Sequence, residues 1–291
     1  MVTLPYLQLE VLRSGYADAG YSPSAADTIR LDEWMRTDKG VQAVAGLTGL
    51  GLPPVSLTTS DSQEGVRRRN KRVQPRAIDL PLNITASSRD ELRATLSKLA
   101  LITQDQCVLR LCEGSEGVGG IALPSEYWYV VVDRAGGGGY SYGVDTRGDT
   151  EVNLVITLQA HRPYWERGGD KALLESTAAT QTWTVASGGD APAKPVWTLQ
   201  GPATAFSATC SQTGATFSWS GSIAAGESRI FDTDAGTVVG GGGTNRYAEL
   251  GPAPRLWPLP PGNSSATTVV LGSGSGTKVS LAWRPRRNMV I

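Results

Sequence analysis

The chain has 291 residues, 27 basic against 27 acidic side chains and hence no formal net charge, 35 glycines, 17 prolines and a single histidine, His161. One histidine excludes a multi-histidine metal site within one copy and leaves His161 as the sole residue through which Ser-His-Asp or Cys-His catalysis could run. Zero net charge argues against a general nucleic-acid binder, and the glycine-rich, charge-poor composition (19% charged) points to many short strands joined by turns.

The length allows one large domain or two ordinary ones. No run approaches the ~18 apolar residues that span a bilayer; the best, 128–132, is a strand's length. Residues 1–10 lack the basic and apolar regions of a signal peptide, so none is expected. Cys107, Cys112 and Cys210 are an odd set and exclude a full intrachain disulfide framework. Cys107 and Cys112 lie five apart in a strand-like stretch, so they should face opposite sides of it as buried free thiols in a reducing compartment. Arg outnumbers Lys 21 to 6, a coding bias of GC-rich genomes rather than a chemical signal.

In chain order, a short strand is expected near 55–59. The basic run Arg67, Arg68, Arg69, Lys71 and Arg72 follows, after Asp61 and Glu64, and reads as a solvated loop with the alternative of an intersubunit or partner contact. No aromatics interleave with it, so base stacking is not indicated. Ile78, Leu80, Leu82 and Ile84 alternate with polar residues and predict a strand. Pro81 within it lacks an N–H, which predicts an edge strand or a bulge there. Ser88 and Glu91 form a capping box, and Leu92, Leu96 and Leu99 make one stripe of a helix over 88–100. Apolar strands follow at 107–112 and 127–132, a four-glycine loop at 136–139, and an alternating strand at 152–158. From about residue 168 the pattern is strand and turn only: 182–186, 195–200, 205–210, 216–220, 228–233, 267–271 and 277–283. Seven short strands without a helix predict a β-sandwich or barrel. The linker is expected near 162–172, where Pro163, Gly168 and Gly169 fall, giving domains at 1–166 and 167–291.

Candidate chemistry is sparse. His161 reads as a packing histidine between the domains. Asp232 and Asp234 could offer two oxygens on one strand face, but Asp-Ala-Gly favours a turn. The glycine runs 136–139 and 240–243 are not followed by Lys-Ser/Thr and a helix, so they are not phosphate loops. Trp183, Trp197, Trp219 and Trp283 fall in expected strands; exposed, they would form a sugar-stacking surface, but core packing is their commoner fate. No catalytic, cofactor-binding or metal-binding residues are assigned.

The ordered set of motifs resembles the distal tail (Dit) proteins of siphophages, a family of phage minor tail or siphovirus tail components. In the first half the likeness rests on Gly46-Leu47-Thr48-Gly49-Leu50 before Pro53-Pro54-Val55, on Arg76-Ala77-Ile78-Asp79-Leu80, and on Ser88-Arg89-Asp90-Glu91-Leu92 opening a helix. It continues in the run Leu158 to Trp165, where Arg162 stands at a position often acidic in the family. In the second half it rests on Gly188-Gly189-Asp190, Lys194-Pro195-Val196-Trp197, Gly201-Pro202, Phe231-Asp232-Thr233, Asn245-Arg246-Tyr247, Leu256-Trp257-Pro258 and Trp283-Arg284-Pro285-Arg286.

That resemblance implies a mainly β chain. Its N-terminal part would be a β-sandwich or barrel-like domain with one helix that forms a six-copy ring, followed by a C-terminal galectin-like β-sandwich. It implies no enzyme and no cofactor. It implies a virion protein at the tail tip, assembled in the host cytoplasm and not inserted in a membrane. The expected partners are the tail-tube, tape-measure and tail-tip hub proteins, with DNA only in transit through the lumen. Arg67, Arg68, Arg69, Lys71, Arg72 and Pro81 are then the candidate subunit or partner contacts. A receptor-contacting, carbohydrate-binding minor tail protein is the alternative. The second half contains no histidine, so a galectin-type sugar site does not carry over.

Overall fold

The computed structural model describes residues 6–32, 38–62, 65–113, 123–124, 126–142 and 149–290. Glu64 and the N-terminal residues 1–5 therefore lie outside the described residues. The chain is mainly β and divides into two compact units, Met1–Gly169 with Asn288–Ile291, and Asp170–Arg287. The last four residues thus belong with the first unit, which no local sequence signal announces.

The first unit contains β1 (Tyr6–Val11), β2 (Thr28–Arg30), β3 (Gly40–Ala43), β4 (Val55–Ser62), β5 (Gly65–Val73), β6 (Arg76–Thr85), α1 (Arg89–Ile102), β7 (Cys107–Glu113), β8 (Glu126–Tyr142), β9 (Glu151–Ala160) and β10 (Trp165–Arg167). The main sheet runs β2-β1-β7-β8-β9-β6-β3, with antiparallel neighbours throughout. A bridge between Asp32 and Gln42 joins its two ends, so the layer closes on itself in a barrel-like manner. The inward residues of β6 and β9 (Ile78, Leu80, Leu82, Ile84; Val152, Leu154, Ile156, Leu158) are buried in one core. The alternation read from the sequence is therefore the alternation of the sheet.

Helix α1 starts as its capping box predicts. Ser88 Oγ accepts from Glu91 N at 3.3 Å, while the Glu91 carboxylate accepts from Ser87 N at 2.7 Å, one residue earlier than expected. Hydrogen bonds from Ser87 and Lys39 hold the Glu91 carboxyl below its ordinary value. Leu92, Leu99 and Ile102 bury the helix on the sheet.

Three expectations change here. The basic run is not a loop: residues 65–73 form β5, paired with β4 over their whole length. The glycines at 136–139 are not a loop tip. They lie within the 17-residue β8, which pairs β7 through its first half and β9 through its second. Register shifts accompany the glycines, and a Cβ on Gly137 would stand 2.2 Å from Val155 O, so a side chain there would collide with the neighbouring strand. Finally, Pro81 is not at an edge. Strand β6 lies between β9 and β3, and Pro81 O accepts from Val44 N at 3.0 Å. Pro81 and Val44 are just past the β3 ladder, where the chain leaves the sheet and no N–H from residue 81 is required.

The second face of the sheet is also buried, against the plain alternation of Tyr6-Leu7-Gln8-Leu9-Glu10-Val11. Gln8, Glu10 and Arg110 are fully buried, and Glu10 accepts hydrogen bonds from Arg110 and from Tyr21 Oη. Burial and the adjacent Glu10 push the Tyr21 phenol up to about 12, so it keeps its proton and donates. Cys107 faces the main core and Cys112 the Tyr6–Tyr127–Tyr129 cluster on this second face, as their odd spacing requires. All three cysteines are free and buried, and burial raises the Cys107 thiol to about 12 and Cys112 to about 11.

The second unit holds β11 (Ala172–Ser176), β12 (Thr180–Ala186), β13 (Val196–Gln200), β14 (Ala203–Cys210), β15 (Thr216–Ile223), β16 (Ser228–Asp232), β17 (Thr237–Gly240), β18 (Asn263–Leu271) and β19 (Lys278–Trp283). They form two antiparallel sheets, β11-β19-β13-β16-β17 and β12-β18-β14-β15, whose inward residues share one core. This is the expected β-sandwich. Trp183, Trp197, Trp219 and Trp283 are all buried in it, which removes the exposed sugar-stacking surface. Trp219 Nε1 donates to Glu249 at 2.7 Å and Trp283 Nε1 to Ser187 O at 3.1 Å. Asp232 is a turn residue: its Oδ1 accepts from Asp234 N and Ala235 N at 2.8 and 2.9 Å.

Glu249 ties the turn Tyr247–Glu249 to the sandwich through Trp219, Arg229 and Arg246. Burial pushes its carboxyl up, but the hydrogen bonds from Trp219 and Arg229 outweigh this and hold it below its ordinary 4.5. A depressed carboxyl stabilises the fold fully above its unfolded-state value and loses that contribution as the pH falls through its folded-state value. Glu249→Gln should therefore lower the melting temperature near neutrality by more than it does at about pH 3. Melting curves across that range check this; equal losses at both ends would refute it.

Candidate interaction surfaces

The β4–β5 hairpin pairs only with itself, and its described residues are exposed apart from Ser60 and Val73, which are half-buried. Arg67, Arg68, Arg69, Lys71 and Arg72 all lie on it. A bulge sets the faces. Thr58 pairs with Asn70 and Thr59 with Arg68, so Arg69 is the extra residue, and its Nε donates to Ser60 Oγ at 2.9 Å. Directly paired residues share a face. One face therefore carries Ser56, Thr58, Ser60, Arg67, Arg69, Asn70 and Arg72. The other carries Val55, Leu57, Thr59, Asp61, Val66, Arg68, Lys71 and Val73. The sequence presents a basic block; the pairing divides it into an arginine face and an apolar face with two cations and one acid, Asp61. The alternation was hidden because the bulge breaks period two in the middle of the run.

Pro81 lies on a different surface. It pairs with Val155 on the outward face of β6 and β9, beside the pair Asp79–Thr157. Asp79 accepts from Thr48 and Thr157, and Glu151 from Asn83, so both carboxylates here are held by neutral donors. Val155 is exposed and Pro81 half-buried.

An open cleft of about 360 Å³ is lined by Tyr16, Tyr129, Tyr164, His161, Arg162, Gln106 and Glu166 over Leu12, Val130 and Val131. Tyr129 Oη donates to Glu166 at 2.8 Å, and His161 Nε2 lies 2.9 Å from Asp133 Oδ2. His161 is 65% exposed, so it is not the packed histidine expected. No serine, threonine or cysteine accompanies it among the cleft's residues. Among the described residues no group of three or more His, Cys, Asp or Glu side chains could hold a metal, and no helix is long and apolar enough to cross a membrane.

Arg76 follows the basic run in sequence but is no part of a surface. Its guanidinium is buried and donates to Gly49, Leu50, Gly51, Pro163 and Asn288 carbonyls at 2.5–3.0 Å. Gly49 fits beneath β6 because it has no side chain: a Cβ there would lie 2.1 Å from Ala77 O, at a φ of +86°.

No family model and no curated protein matches the sequence. Solved structures do match the fold. The crystal structure of the Dit protein of phage SPP1, described as a paradigm of the hub adsorption apparatus in phages infecting Gram-positive hosts, is similar with a TM-score of 0.63 at 11% identity, covering 97% of this chain and 99% of that one. The phage P2 baseplate in its activated conformation is similar with calcium (TM-score 0.52) and with strontium (0.50), each at 10% identity and covering 99% of this chain. Over nearly its whole length, the chain has the fold of a phage Dit protein.

Proposed function

We propose that the chain is an architectural protein of a phage tail tip, a distal tail ring of six copies that joins the tail tube to the tail-tip hub and lets DNA pass through its lumen. The observation that carries this is the match to the SPP1 Dit fold over 97% of this chain and 99% of that one, which accounts for both units and their order. The role asks for contact surfaces rather than a catalytic constellation, and an isolated, solvent-facing hairpin is such a surface. The hairpin bearing Arg67, Arg68, Arg69, Lys71 and Arg72, together with Pro81, is the proposed subunit or partner contact. Zero net charge suits a conduit, since six copies would multiply every basic group that faced the DNA.

The expected result of native mass spectrometry on the purified chain, or of cryo-EM on the assembled tail, is a closed ring of six copies. A strict monomer at every concentration and in the tail would refute the reading. A ring with the arginine hairpin lining the lumen would refute the contact assignment.

A further inference from the structure

We infer that the apolar face of the β4–β5 hairpin docks head-to-tail on the outward β6–β9 face of a second copy, around Val155 and Pro81. The inference rests on the ring reading and names the two patches that would build the ring.

Four observations carry it. First, among the described residues the hairpin forms a two-stranded sheet of its own whose side chains stand open to solvent. A two-stranded hairpin alone in water is marginal at best, so one this long needs a surface to lie on. Second, the apolar residues are on one face and open to solvent: Val55 is 47% exposed, Leu57 57% and Val66 64%. The opposite face is wholly polar, so only one orientation buries apolar area. Third, the charges complement. Arg68 and Lys71 share the apolar face with a single acid, Asp61, so the face is net basic, and neither cation makes an ion pair among the described residues. The β6–β9 patch offers an exposed valine and a proline, with Asp79 beside them and Glu151 four residues along the same outward face, both held by neutral donors. Fourth, donor and acceptor patches are different surfaces of one chain. Such a heterologous contact propagates, and it closes into a ring when its rotation closes. In this arrangement Arg67, Arg69 and Arg72 point away from the neighbour.

Cysteine pairing tests the geometry, and the three native thiols are buried, which keeps the background low. Full-length Leu57→Cys and Val155→Cys chains are made singly and mixed under mild oxidation. The expected product is a Leu57Cys–Val155Cys heterodimer, formed at least tenfold more than either homodimer. In parallel, the double variant L57D/V66D should lose assembly by at least tenfold in apparent affinity, while T58D/N70D, a pair on the opposite hairpin face, assembles as the wild type does. Circular dichroism confirms that each variant folds, and folding is expected because these side chains lie outside both cores. A dominant Leu57Cys homodimer, or normal assembly of L57D/V66D, overturns the docking mode while leaving the ring reading standing. A wild-type chain that never assembles overturns both.

Discussion

Replacing Arg76 by methionine should lower the melting temperature of the first unit by about 10 °C or more. The guanidinium is buried, and every one of its hydrogen bonds ends on a neutral backbone carbonyl, from 49–51, from Pro163 and from Asn288. Burial pushes its pKa down to about 10, still far above neutrality, so the group stays a cation. What offsets its desolvation is the convergence of carbonyl dipoles and the Trp165 ring 5.8 Å away. Methionine keeps much of the volume but none of the donors. Carbonyls left buried and unpaired cost about 1–3 kcal/mol each, and partial rehydration of the outer ones brings the total to roughly 3–5 kcal/mol. At about 2–4 °C per kcal/mol for a unit of this size, that is a shift of ten degrees or so. Arg76→Lys should recover only part of it, because one ammonium cannot span five carbonyls held in a planar fork. Near-UV circular dichroism melting checks both; an R76M variant melting within about 2 °C of the wild type would show that the clasp contributes little.

The second large effect is expected at Trp197, the centre of the aromatic core of the second unit. Its ring lies 5.5 Å from Trp257, 6.0 Å from Trp183, 6.1 Å from Phe206 and 6.3 Å from Phe217. Trp197→Ala should destabilise the sandwich by about 3–5 kcal/mol, through lost transfer free energy and the cavity left among rings that cannot close over it. Trp197→Phe should cost much less, about 1–2 kcal/mol. Its indole N–H has no hydrogen-bond partner among the described residues, so phenylalanine removes an unsatisfied donor along with the lost volume. Urea denaturation of the two variants separates the terms. If W197F loses as much as W197A, the N–H has a partner and the polar part of the account is wrong.

The strands that face a core on one side were legible from residue order. Ile78 to Ile84 and Val152 to Leu158 alternate, and the sheet uses them as they stand. The start of α1 was legible because Ser88 and Glu91 act within one turn. Asp232 was legible as a turn because its carboxylate accepts from the nearby backbone N–H groups of Asp234 and Ala235. The tryptophans of the sandwich were legible as core because each sits in an alternating strand.

Other features needed the rest of the molecule. The arginine run became a strand only by pairing with β4, and a one-residue bulge at Arg69 sorted its cations onto two faces. Glycines 136–139 read as a loop tip because glycine is the usual loop residue; only the approach of Val155 O at Gly137 makes them a strand requirement. Arg76 follows the basic run in residue order, yet carbonyls from positions 25 to 212 residues away enclose it. Gln8, Glu10 and Arg110 are polar residues that nothing local marks as core, yet they are buried on the second side of the sheet.

Sequence by itself thus determined the β class, the helix, the local turns and the apolar faces, because those follow from periodicity and from bonds within a few residues. Tertiary structure alone decided which polar groups are buried, which strands are internal and which surfaces remain open for partners. Those depend on contacts between residues far apart in the chain, and a side chain's type does not reveal whether a distant backbone will come to meet it.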